Sequence, residues 1–150
     1  MRAFDHVSAA LLLSVLLVGS GCALSAPKSE QHISKDVQDA LEAGRVDEAI
    51  RLAQPIAHSS DPELVFSVGF LYLARTQVEG RAETQREADS ARFLRQVERA
   101  ALAGLDEAPR LLEAVFRYGN YGTTPADSAR ADCWRSVIEQ RAEAESCVMR

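Results

Sequence analysis

One stretch limits the possible folds more than any other: "ELVFSVGFLYLAR", residues 63–75. It follows Asp61-Pro62-Glu63, the form of a helix start: an N-cap, proline at the first position and an acid in the first turn. A helix that is apolar nearly all round has no face to give to water, so it belongs in the middle of a fold, covered by other elements. Only 8 glycines and 5 prolines occur among 150 residues, and aromatics make up 6%. The covering elements are therefore expected to be helices rather than the strands of a sandwich or barrel.

The flanking sequence supplies them. Ser34 is placed to cap a helix over 35–43, which Gly44 stops. A second, over about 46–58, carries Ala49, Ile50, Leu52, Ala53 and Ile56 on a broad apolar stripe. Beyond the central helix, 78–87 reads as a polar loop ending in a capping box, Thr84 with Glu87. The helix from there to about residue 103 sets Ala88, Ala91, Leu94, Val97 and Ala101 at near-helical spacing, and Gly104 ends it. Asp106 opens another, striped by Ala108, Leu111, Leu112, Val115 and Phe116 and ended by Gly119. Thr124-Pro125 has the form of a further cap, and Ala131, Trp134, Val137 and Ile138 line the last clear helix. The expectation is all-α: six helices and a short seventh, in antiparallel pairs with short connections, and no strand.

The first residues are of another kind. Residues 7–18 are apolar apart from Ser8 and Ser14. This run of about 12 is too short for a transmembrane helix of ~20 and suits the apolar core of an export signal. Gly19-Ser20-Gly21 then breaks any helix ahead of Cys22. Residues 18–22, Val-Gly-Ser-Gly-Cys, resemble the lipobox of bacterial lipoproteins, with Gly19 where leucine is usual. The resemblance implies a diacylglycerol thioether on Cys22, cleavage before it and acylation (palmitate-type) of the new amine. Ala23, rather than aspartate, follows the cysteine, which by the same resemblance implies sorting to the outer membrane. The alternative is an ordinary secretory signal cleaved after Ala23. More than one acyl chain makes attachment stable, each buried methylene contributing about 0.8 kcal/mol. The expected organisation is a signal peptide over 1–21, a lipidated cysteine and polar tether over 22–33 and a helical domain over 34–150.

The helices hint at an internal repeat. "LVFSVGFLY" (64–72) and "APRLLEAVFRYG" (108–119) lie about 44 residues apart, joined by "RAALAGLDEA" and followed by Ala131 and Trp134 at Ala-x-x-Trp spacing. This pattern resembles the Sel-one-like repeat, a relative of the tetratricopeptide repeat, best matched over 100–119 and on through Asp127 to Trp134. "ALEAGRVDEAIRLAQPIA" (40–57) is similar to a plain tetratricopeptide second half. Leu64, Glu113 and Gln96 depart from the pattern. The resemblance implies a short α-α superhelix with a concave binding surface; an unrelated helical bundle is the alternative, since small residues at helix crossings are common.

With Cys22 lipidated, Cys133 and Cys147 remain as an even pair, and an exported chain meets an oxidising compartment. On one continuous helix they would lie about 21 Å apart, whereas a disulfide needs α-carbons within about 7 Å. A bond therefore requires a turn near residues 140–142; otherwise both are free or buried thiols. His58 at a helix end reads as a favourable charge at the dipole terminus, and the acids fall on expected solvent faces. No metal or cofactor is expected. "GNYGTTP" (119–125) does not follow a strand and is no phosphate loop. Tyr118 and Tyr121 are the candidate partner contacts, with packing as the competing role.

A net charge of −5 argues against nucleic acid. Cysteine-rich relatives of the repeat family are linked to penicillin binding and β-lactamase activity, but they carry cysteines in every repeat, so no enzyme activity is expected. The expected function is that of an outer-membrane lipoprotein facing the periplasm, whose repeats bind an envelope protein as an interaction or scaffold module. The alternative is a periplasmic immunity protein that neutralises a toxin effector.

Overall fold

A computed structural model describes residues 33–119 and 124–148. Six α-helices follow one another: α1 (Lys35–Glu42), α2 (Val46–Ala53), α3 (Pro62–Thr76), α4 (Glu83–Leu102), α5 (Glu107–Tyr118) and α6 (Ser128–Ile138). Short 3₁₀ turns cover Gln54–Ile56 and Ala144–Ser146. No strand occurs among the described residues, so the all-α class is found. Helices pack chiefly on their neighbours in the chain, most extensively α3 on α4 and α5 on α6, and the last 3₁₀ turn rests on α4 and α6.

Several ends depart from the expected positions. Pro55 has no N–H to donate, so α2 stops at Ala53 and the chain tightens into the 3₁₀ turn instead of continuing to residue 58. The capping box at Thr84 does not form. The Ala82 carbonyl takes the first helical bonds, from the Gln85 and Arg86 amides at 3.0 and 3.1 Å, which puts Thr84 inside the first turn. An N-cap must be extended, and Thr84 is helical. Asp106 sits at the start of α5 without a side-chain cap bond. The start of α6 is capped by Asp127, which accepts from the Arg130 amide at 3.0 Å, and not by Thr124. The Thr124 hydroxyl instead meets Ser90 at 2.7 Å and ties its loop to α4. Asp61 caps α3 as expected, accepting from the Glu63 amide at 2.9 Å.

Trp134, Phe93, Phe116 and Leu112 are the largest apolar side chains fully buried in the core. On α4 the inward face differs from the expected stripe. Ala88 and Ala91 are exposed, Leu94 is half-buried, and Phe93, Val97, Ala100 and Ala101 are buried. Burying one phenyl ring removes more apolar area from water than burying two methyl groups, so Phe93 sets the rotation of the helix. Small residues fill much of the interior: Ala40, Ala49, Ala53, Ala100, Ala108 and Ala131 have no exposed surface. Gly69 lets α3 approach α4 closely. A β-carbon there would stand 3.3 Å from Gln96 Cβ and 3.5 Å from the Phe93 carbonyl oxygen.

Candidate functional site

Cys22 and Tyr121 lie outside the described residues. Cys133, on α6, and Cys147 are brought together as a disulfide with α-carbons 5.6 Å apart. The reversal that allows this follows the end of α6 at Ile138. Gln140 takes a left-handed φ of 57°, and the Arg141 amide donates to the Ser136 carbonyl at 2.8 Å. Glutamine is an unusual residue for that conformation, which is why no glycine announced the turn. Tyr118 is 81% exposed at the end of α5, so it is not a packing residue. His58 is exposed after the second helix. Among the described residues no group of three or more histidines, cysteines or acids is placed to hold a metal ion. No helix among them is long and apolar enough to cross a membrane.

Two features stand out that the sequence reading missed. The first is an open apolar groove of about 590 Å³, lined mainly by Ile33, Leu41, Phe70, Leu71, Leu73 and Ala74. It lies along the flank of α3 beside α1. The central helix is therefore not covered on every side: Phe70 is 41% exposed, with its ring edge-on to Phe66 and Phe93 at centroid distances of 5.1 and 5.9 Å. An apolar helix implies a partner for each face, but not that all the partners belong to the same chain.

The second is a polar cluster where the end of α3 meets the start of α4. Asp89 is 1% exposed, which overturns the expectation that the acids face solvent. A buried carboxylate needs charge partners, and three arginines supply them. Arg75 donates to both Asp89 oxygens, at 2.9 and 2.5 Å. Arg92 donates one bond at 3.0 Å, and Arg81 approaches at 3.4 Å. Arg75 and Arg81 also reach Asp47 of α2, at 3.1 and 3.5 Å. The Arg75 and Arg92 guanidiniums both lie over the Tyr72 ring. Burial pulls the Arg75 pKa down, but hydrogen bonds and charge from Asp89 and Asp47 outweigh it and leave it above the ordinary value. A pocket of about 310 Å³ opens on this cluster, with Thr84 and Gln85 on its wall.

Two further buried or half-buried acids, Glu98 and Glu113, tie the later helices together through arginines. Glu98 of α4 is paired with Arg130 of α6, whose guanidinium stacks 3.7 Å from the centre of the Phe116 ring. Burial raises the Glu98 pKa despite Arg130 and Arg95, which draw it down. Glu113 of α5 accepts from Arg117 at 2.6 Å and from Arg135 of α6 at 3.0 Å. The Arg117 bond is the main reason its carboxyl titrates below the ordinary range; partial burial opposes this and Arg135 reinforces it.

Comparison with known proteins finds no matching family model, no similar curated protein and no similar solved structure.

Proposed function

We propose that this chain is a lipoprotein anchored at Cys22 in the outer membrane, facing the periplasm, whose repeat-type helical domain binds another envelope protein. The observation that carries the interaction role is the apolar groove with half-exposed Phe70 on the central helix. A large aromatic left uncovered in an apolar groove is costly in water, and a partner's side chains would offset that cost. Aromatic residues are favoured anchors at such contacts, and Tyr118 offers a second exposed ring. The Cys133–Cys147 disulfide supports an oxidising compartment. Consecutive packing of helix pairs, with buried alanines inside and Gly69 close against α4, supports a stacked-repeat arrangement.

The test is site-specific photo-crosslinking in living cells, with a photoreactive phenylalanine at position 70 and, separately, at position 118. The proposal predicts one defined envelope protein joined through position 70, and its loss when Leu73→Glu places a charge in the groove. Adducts at background level from both positions would overturn it.

A further inference from the structure

The geometry points to the Arg75–Arg81–Arg92 pocket as a binding site for a phosphate monoester, at a place independent of the apolar groove. Three guanidiniums enter from three directions: Arg75 from the last turn of α3, Arg81 from the connecting loop and Arg92 from the third turn of α4. A carboxylate offers two oxygens in one plane, and Asp89 already supplies one such group at the floor. A tetrahedral anion offers acceptors in several directions, which suits donors that converge from several sides.

Two of the three arginines, Arg81 and Arg92, keep donors that are not used up. Arg75 is committed to Asp89 at both oxygens. Arg81 is held loosely, because its contacts of 3.4 and 3.5 Å exceed the ~2.7–2.9 Å of a charge-assisted hydrogen bond. Its Nε is buried with no protein acceptor. A buried donor without a partner asks for an acceptor that the chain does not provide. Arg92 is 47% exposed and gives only Nη1 to Asp89. The start of α4 adds to the field: Ala82 supplies no side-chain cap, and Thr84 and Gln85 of the first turn line the pocket. Helix starts favour anions through their free N–H groups and dipole.

Charge favours a dianion. The formal count of the cluster is three arginines against Asp89 and Asp47. Asp47 is 71% exposed and bridges Arg75 and Arg81 without lining the pocket itself, so its carboxylate is the one acid of the cluster free to be replaced by another anion. When its carboxylate swings away, three positive charges face one negative charge. The remaining two match a phosphate monoester, whose second pKa of about 6 leaves it near −2 at neutral pH. The volume of about 310 Å³ stands at the small end of ligand pockets, ~300–1,000 Å³, which suits a single phosphate group with a short organic stem.

The experiment follows the arginine Nε–Hε signals of the full chain in detergent by NMR. Inorganic phosphate, glycerol 3-phosphate and dihexanoyl phosphatidate are titrated at pH 7.5, with acetate and dihexanoyl phosphatidylcholine as controls. The site predicts saturable shifts at Arg81 and Arg92 with the phosphates and none with the controls. Tightest binding of phosphatidate assigns a lipid headgroup as the source, and tightest binding of either water-soluble phosphate assigns a free small molecule. Arg92→Gln should weaken binding about 10-fold, whereas Asp47→Asn, which removes the competing carboxylate, should tighten it about 3-fold or more. Both side chains are solvent-exposed, and unchanged thermal unfolding of the two variants verifies the fold. Shifts that rise linearly with phosphate, equal shifts with acetate, or an affinity that Asp47→Asn leaves unchanged or weakens would each overturn the site. A purely structural ion cluster predicts no saturable shift with any of the phosphates, a result that would overturn the site outright.

Discussion

Reducing the Cys133–Cys147 bond should destabilise the domain by about 3 kcal/mol, and the figure follows from the ring the bond closes. A sequence separation of 14 makes a loop of 15 residues. Chain-entropy loss in the unfolded state is about 2.1 + 1.5R ln n cal/mol/K, which for that loop is near 10 cal/mol/K, or about 3 kcal/mol at 25 °C. Cys147 is buried against the core, so reduction also loosens the packing of the last 3₁₀ turn on α4 and α6. A domain of ~120 residues unfolds with an entropy of about 250 cal/mol/K, so the melting temperature should fall by roughly 12 °C. The assay is scanning calorimetry of the oxidised protein, the protein in excess dithiothreitol, and the Cys133→Ser/Cys147→Ser double variant. Both reduced forms should melt at similar, lower temperatures, and dithiothreitol should leave the double variant unchanged. A drop under about 3 °C would refute the reasoning, because the unfolded chain would then gain almost no freedom from losing the bond.

Other expectations follow from the same structure. Asp89→Ala leaves three guanidiniums around an empty buried position and should cost about 3 kcal/mol or more by urea unfolding, far more than Asp39→Ala at an exposed i,i+4 pair. Gly69→Ala should be within about 1 kcal/mol of the parent, because better helix propensity offsets the 3.3 Å approach to Gln96, whereas Gly69→Leu should lose ~2–3 kcal/mol by forcing α3 from α4. Glu113 titrates below its ordinary 4.5, so the unfolded chain binds the extra proton first. Its contribution is complete above pH ~4.5 and is lost as pH falls below that value, so Glu113→Gln should flatten the acid side of a stability–pH profile measured by denaturant unfolding.

The elements that could be read from the chain alone are those whose local chemistry agrees with their packing. Asp61-Pro62 capped α3, Gly119 ended α5, and the inward stripe of Ala108, Leu112, Val115 and Phe116 appeared where spacing put it. The departures arise where a distant contact outweighs a local preference. Phe93 turned α4 so that Ala88 and Ala91 faced water. Thr124 met Ser90 on α4 instead of capping α6. The arginine pocket was illegible because Asp47, Arg75, Arg81 and Asp89 come from four separate segments, and no spacing rule joins them. The apolar groove was hidden by a correct inference carried too far: an apolar helix must be covered, but the cover need not be intramolecular.

The most direct measurement is the intact mass of the mature chain extracted from the cell envelope, with tandem sequencing of its first peptide. The account predicts a chain of residues 22–150 that begins at Cys22 and carries diacylglycerol and N-acyl groups, found in the outer-membrane fraction. An unacylated chain, beginning at Leu24 or retaining residues 1–21, would contradict it.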